Sequence, residues 1–146
     1  MRVLSKAAKF LFVTYFLITM GSVLAGYLFM TPLQVTRLID VLSPRIIIGG
    51  GAGVLMGLFQ GRQWGRMVQM HADDDLYGVG LAQKLEYRKH VLIALGLIGG
   101  SFVFNLLMSP SIQVAYARTA ALVWTLGILI VTFFGAVLLA LRSVAR

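Results

Sequence analysis

The sequence contains no cysteine and few charged residues. Of its 146 residues, only 12% are Asp, Glu, Lys or Arg, whereas soluble domains carry about 25%. The absence of cysteine excludes disulfides and thiolate metal sites within the chain. The shortage of charge predicts that most of the chain contacts an apolar environment rather than water.

Four stretches contain no charged residue at all, and they cover residues 10–30, 46–61, 91–108 and 119–141. A helix rising about 1.5 Å per residue needs roughly 20 apolar residues to cross a hydrocarbon core of about 30 Å. The first and fourth stretches meet this length, the third nearly does, and the second is short. The pattern predicts an all-α integral membrane protein with four transmembrane helices in a single domain, residues 1–146.

The distribution of basic residues predicts an orientation. The net charge is +8, and ten of the thirteen basic residues lie before the first span, between the second and third, or after the fourth: Arg2, Lys6, Lys9, Arg62, Arg66, Lys84, Arg88, Lys89, Arg142 and Arg146. The positive-inside rule then places both termini and the loop 62–90 in the cytoplasm. We expect the inner membrane of a bacterium as the location and membrane lipids as partners. Nucleic acid is not expected, because no basic stretch is interleaved with aromatic residues.

A short amphipathic helix is predicted between the first two spans. Thr31 is a competent N-cap, and Pro32 suits the first helical position. Apolar residues then recur at helical spacing, at Val35, Leu38, Ile39 and Leu42. We expect this helix to lie on the outer membrane surface and to end at Ser43-Pro44.

Glycines recur at every fourth residue of the second span, at Gly49, Gly53, Gly57 and Gly61. Such a groove lets another helix backbone approach closely, and in its absence each glycine would cost about 0.8–1 kcal/mol relative to alanine. We predict a helix-packing face, with the partner either inside the chain or on another copy. In the third span, Gly96, Gly100 and Asn105 are predicted to take part in packing as well. The less favoured interpretation has the glycines line a pore or hinge a moving helix.

No predicted span contains Asp, Glu, Lys, Arg or His. Ion-coupled transport and intramembrane catalysis need such groups, so the sequence predicts no enzyme, no cofactor and no metal. Thr14, Thr19 and Ser22 are expected to bond to the carbonyls four residues earlier. The loop 62–90 holds the residues that we predict, in second place to a solvated loop, to bind a partner: Trp64, Asp73, Asp74, Asp75 and Tyr77.

The leading functional hypothesis is a non-enzymatic scaffold or accessory subunit that packs through its glycine faces into a larger membrane assembly. Its partners would be other membrane-protein subunits or copies of itself. One alternative is a small channel or holin-like oligomer. The other is an immunity or exclusion factor that binds an incoming protein in the membrane.

The predicted orientation is testable with reporter fusions. A fluorescent protein fused after residue 74 or after residue 146 should fold and fluoresce, because both sites are expected in the cytoplasm. Alkaline phosphatase at the same sites should stay inactive. Opposite results at the two sites would contradict an even number of crossings between them.

Overall fold

The computed structural model describes residues 2–71 and 76–145, which form five α-helices. These are α1 (Arg2–Phe29), α2 (Pro32–Met70), α3 (Leu76–Lys84), α4 (Tyr87–Met108) and α5 (Ile112–Ala145). Within the described residues, four helical stretches are long and apolar enough to cross a membrane: α1, α2, α5 and the stretch 79–108 that contains α4. The prediction of an all-helical chain with four such helices is confirmed.

Successive long helices run in opposite directions. The Trp124 indole on α5 reaches Ser22 on α1, and Asn105 on α4 reaches Thr119 on α5. Leu4 and Leu141 share one core cluster, so both ends of the described chain lie together. We call this the terminal end of the bundle. The opposite end, which holds the two connections 30–31 and 109–111, is the turn end.

The start of α2 follows from its first four residues. The Thr31 side chain accepts a hydrogen bond from the Gln34 backbone N–H at 3.3 Å, and the Gln34 side chain accepts one from the Thr31 N–H at 3.0 Å. Pro32 follows the cap, at a position where its missing N–H is no loss. The predicted N-cap is therefore confirmed.

The predicted break at Ser43-Pro44 is wrong, because α2 continues through Pro44 to Met70. Proline removes only one helical N–H, and membrane-protein helices tolerate such residues when neighbouring structure holds them. Here Val35 and Leu42 are both buried, and Leu42 packs with Tyr116 of α5. The predicted outer helix is thus the first part of a long helix that packs along α5.

The predicted loop 62–90 is also largely helical. Its first nine residues complete α2, and residues 76–84 form α3. Gly65 continues to face α5, and Val68 joins the core cluster around Leu4. Leu81 and Leu85 pack against the same cluster. These apolar side chains attach the segment 62–90 to the terminal end of the bundle.

The long helices are unequally packed. Helix α5 contacts α1, α2 and α4, and its contact with α2 is the most extensive in the described structure. Core clusters lie at both ends of the bundle, around Leu4 and Val137 at the terminal end and around Tyr116 and Trp124 at the turn end. No described residue of α4 is buried. Helix α4 is therefore attached loosely to a tight unit of α1, α2 and α5.

Replacing Pro44 with alanine tests the continuity of α2. Alanine restores the N–H donor for the Asp40 carbonyl, so the stability should rise, by up to about 3 kcal/mol. Thermal unfolding in detergent micelles, followed by circular dichroism, measures the change. The control is Pro32→Ala, which should give no such gain because proline suits the first helical turn. A loss of stability from Pro44→Ala would contradict the continuous helix.

Candidate helix-packing site and apolar cavity

The central glycines of α2 touch the backbone of α5. A Cβ atom added at Gly53, Gly57 or Gly61 would lie within 3.0 Å of α5 atoms. Those nearest backbone atoms are the carbonyl oxygens of Leu129 and Phe133 and the Cα of Val137. Real Cβ atoms do not approach backbone so closely, so only glycine fits at these three positions without movement of α5.

The contact loosens towards both ends of the glycine face, which we define as Gly49, Gly53, Gly57, Gly61 and Gly65. An added Cβ at Gly49 would lie 3.4 Å from the Thr125 carbonyl oxygen, and one at Gly65 would lie 3.2 Å from the Val144 side chain. Beyond the last glycine, the Gln69 amide donates to the Val144 carbonyl at 2.8 Å. The two helices therefore run parallel and in contact over four helical turns.

Two other predicted packing residues make no such contact. An added Cβ at Gly96 or Gly100 of α4 would meet nothing within 4 Å. Both glycines instead line a cavity between α1, α4 and α5. The structure thus brings together the glycines of α2 with α5 but not those of α4 with any described helix.

Asn105 bridges α4 to α5. Its side-chain amide donates to the Thr119 hydroxyl at 3.1 Å and lies 3.4 Å from the Ser101 hydroxyl. Thr119 in turn donates to the Ala115 carbonyl at 3.0 Å. Near this bridge the Phe102 ring meets Phe29 of α1, with ring centroids 5.9 Å apart. These contacts attach α4 to the bundle at the turn end.

Ser22 is a polar junction that the sequence analysis missed. Its hydroxyl accepts a hydrogen bond from the Trp124 indole at 2.9 Å, and its carbonyl accepts one from the Tyr116 hydroxyl. The Thr19 hydroxyl donates to the carbonyl four residues earlier, as predicted, whereas the Ser22 hydroxyl donates to the Thr19 carbonyl, three residues earlier. A buried tryptophan N–H usually finds a partner, but the sequence does not reveal which residue it is.

Of the predicted partner-binding residues, only Trp64 has a described side chain. The Trp64 ring packs edge-on against Phe133, with centroids 6.3 Å apart, and so contributes to the core of the terminal end. Asp73, Asp74 and Asp75 lie outside the described residues, as does the side chain of Tyr77.

The described residues contain no group of three or more His, Cys, Asp or Glu side chains that could hold a metal. His71 follows the end of α2, where its ring lies 2.8 Å from the Met67 carbonyl. His90 lies in the first turn of α4 and lines a small cavity.

An apolar gap separates part of α4 from α1 and α5. Its larger part has a volume of about 470 Å³ and is lined by α1 from Tyr15, by α4 from Ile93 to Ser101, and by α5. A second part of about 280 Å³ lies towards the terminal end and includes His90. Tyr15 and Ile130 line both parts. We call the two parts together the α4 gap.

Charged side chains lie in two layers across the bundle. Gly61 contacts Val137, and Ala8 shares a cluster with Val137. The neighbouring Arg62 and Lys9 are thus at about the level of Leu138. Arg118 marks the other layer on α5. Residues 118 and 138 are twenty positions apart, which is about 30 Å along a helix.

No protein-family model, curated protein or solved structure matches the chain.

Alanine at Gly57 tests the close contact of α2 with α5. The added methyl group would overlap the Phe133 carbonyl, so we expect a loss of about 1–3 kcal/mol in the free energy of unfolding. The matched control is Gly51→Ala, where nothing lies within 4 Å and helix propensity predicts a gain of up to about 1 kcal/mol. Unfolding titrations in mixed micelles measure both changes. Equal effects at the two positions would show that the contact does not determine stability.

Proposed function

We propose that the chain crosses a membrane four times, with the terminal end of the bundle in the cytoplasm. The two charged layers support this placement, because their separation of about 30 Å equals the thickness of a bilayer hydrocarbon core. Lys9 and Arg62 would lie at the cytoplasmic boundary and Arg118 at the outer one. Arg45 lies slightly inside the outer boundary, from which its long side chain reaches the headgroups.

Within that membrane, we propose that the protein is a non-enzymatic scaffold or accessory subunit of a larger assembly. The observation that carries this proposal is the unequal packing of the four long helices. The glycine face of α2 is covered by α5 of the same chain, whereas no described residue of α4 is buried. We expect this arrangement in a subunit whose exposed fourth long helix, α4, is covered by a partner protein.

The outer side of α4 offers a suitable surface. Exposed residues recur there at a spacing of three or four: Leu92, Leu95, Gly99, Val103 and Leu106. Gly99 lies in the middle, away from the residues that line the α4 gap, and nothing lies within 4 Å of an added Cβ. A small residue flanked by larger apolar ones is typical of contacts between membrane helices.

The polar side chains inside the bundle favour a scaffold over a pore. Thr19, Thr125 and Thr132 each donate to a carbonyl of their own helix, and Asn105 bonds across to Thr119. Among the described residues, no buried side-chain nitrogen or oxygen lacks a hydrogen-bond partner. A water-filled pathway would instead expose polar groups to its lumen.

Leucine at Gly99 tests the proposed surface. The tagged protein, extracted with its neighbours in a mild detergent, should recover several-fold less of a specific membrane partner, because the larger side chain separates the two helices. The control is Gly51→Leu on α2, which also meets nothing within 4 Å and should leave recovery unchanged. A wild-type protein that is extracted as a lone monomer would contradict the proposal. Dye leakage from liposomes containing the pure protein would favour the channel alternative.

A further inference from the structure

Three exposed basic side chains lie on one face of α1 at the terminal end of the bundle: Arg2, Lys6 and Lys9. Because a helix turns by about 100° per residue, the three fall within a sector of about 60°. The buried residues of the same segment fall within an equally wide sector on nearly the opposite side: Leu4, Ala8 and Leu11. We call the three basic residues the basic face.

The basic face has no partner within the part of the chain that the structure describes. None of its side chains makes an ion pair or a hydrogen bond to another described residue. The single ion pair among the described residues joins Lys89 to Glu86. Helix α3 contacts α1 at this end, but its only charged residue, Lys84, is basic as well. The charges of the basic face therefore favour a ligand of negative charge.

Most of the basic face lies outside the bilayer in the proposed placement. Lys9 is at the cytoplasmic boundary of the hydrocarbon core, so Lys6 and Arg2 lie about 4.5 and 10.5 Å beyond that boundary along α1. The headgroup layer on one side is about 5–8 Å thick, which is half the difference between the whole bilayer and its core. Arg2 is thus beyond the headgroups of the lipids that surround the bundle.

The direction of α1 turns these side chains further from the lipid. Side chains lean towards the N-terminus of their own helix. Helix α1 begins at the terminal end, so its basic side chains lean away from the bilayer. Helix α2 runs the opposite way, so its exposed Arg62 and Arg66 lean towards the headgroups at the same end. The arginines of α2 therefore suit lipid phosphates, whereas the basic face suits a ligand in the cytoplasm.

The spacing of the basic face matches that of a second helix. Its members are four and three residues apart, which is about 6 and 4.5 Å along the helix axis. Carboxylates at the same intervals on another helix have the same separations. Alternate residues of an extended strand are about 6.4–6.8 Å apart, and this distance exceeds the second interval. An acidic helix therefore fits the basic face better than an extended acidic segment does.

We propose that the basic face binds an acidic helix of a partner protein in the cytoplasm. The partner helix lies along α1 beneath the membrane, with carboxylates four and three residues apart on the side that faces Arg2, Lys6 and Lys9. An exposed ion pair raises the affinity by a factor of at most about five, so the contact is weak and sensitive to salt. This inference rests on the proposed membrane placement, but not on a partner at α4.

The probe is an alanine-rich helical peptide with three glutamates spaced four and three residues apart. A comparison peptide has the same composition, but its glutamates are five residues apart and point in different directions around the helix. The full chain is placed in nanodiscs of phosphatidylcholine, and the binding of each labelled peptide is measured by fluorescence anisotropy in low salt. We expect the wild-type protein to bind the first peptide at least about threefold more tightly than the second.

Removing charge from the basic face tests its position. In Arg2→Gln/Lys6→Gln the affinity for the first peptide should fall at least about fivefold, because two ion pairs are lost. The matched control Arg62→Gln/Arg66→Gln removes the same charge from the same end of the bundle, and it should change the affinity less than about twofold. All four side chains are exposed, so we expect both variants to fold.

Three results with these nanodiscs would overturn the inference. These are a wild-type protein that binds neither peptide, equal affinities for the two peptides, or equal losses in the two double variants. Nanodiscs with half phosphatidylglycerol test the membrane as the competing ligand. If this lipid removes the difference between the wild type and Arg2→Gln/Lys6→Gln, headgroups occupy the basic face and the inference is wrong.

Incorporation into nanodiscs separates this inference from the membrane placement. A chain that does not enter the nanodiscs contradicts the placement, and with it the docking surface. A chain that enters them and shows no preference between the two peptides contradicts only the docking surface.

Discussion

The close approach of α2 and α5 at Gly53, Gly57 and Gly61 is the contact on which the rest of the structure depends. At these three positions the α5 backbone occupies the space that a side chain would need. Small residues let two helix backbones approach this closely. The α2–α5 pair therefore forms the closely packed centre of the bundle, and the other helices are arranged around it.

The remaining surface of α5 accommodates its other neighbours unequally. Helix α1 runs against it from Leu4 to Gly26 through buried apolar residues and the Ser22 junction. Helix α4 is attached mainly at the turn end, by Asn105 and Phe102. Because α1, α2 and α5 already pack against one another, α4 contacts only a small part of their surface, and the α4 gap remains beneath it. The proposed partner would cover the outer side of this loosely held helix.

Local sequence signals predicted the helices well but placed two boundaries wrongly. The apolar stretches and the Thr31 cap were readable because each depends on neighbouring residues. Pro44 suggested a helix end and the polar segment 62–90 suggested a loop. Both segments are largely helical because their apolar side chains pack against the other helices. Val35, Leu42 and Gly49 are seven residues apart, so the apolar face of the supposed outer helix is continuous with the glycine face. That spacing was visible in the sequence. It could be recognised as one continuous packing face only once the structure showed that α5 is long enough to cover both the apolar face and the glycine face.

The sequence by itself determined that the chain forms helices long and apolar enough to cross a membrane, because the spacing of charges along each segment sets how much hydrocarbon it can cross. It also predicted, without excluding a pore or a hinge, that the α2 glycines serve close packing, since their cost in a helix is otherwise uncompensated. Only the tertiary structure decided that their partner is α5 of the same chain and that Gly96 and Gly100 border a gap. Contacts between residues far apart along the chain depend on how all the helices pack together, so they cannot be predicted from any single segment.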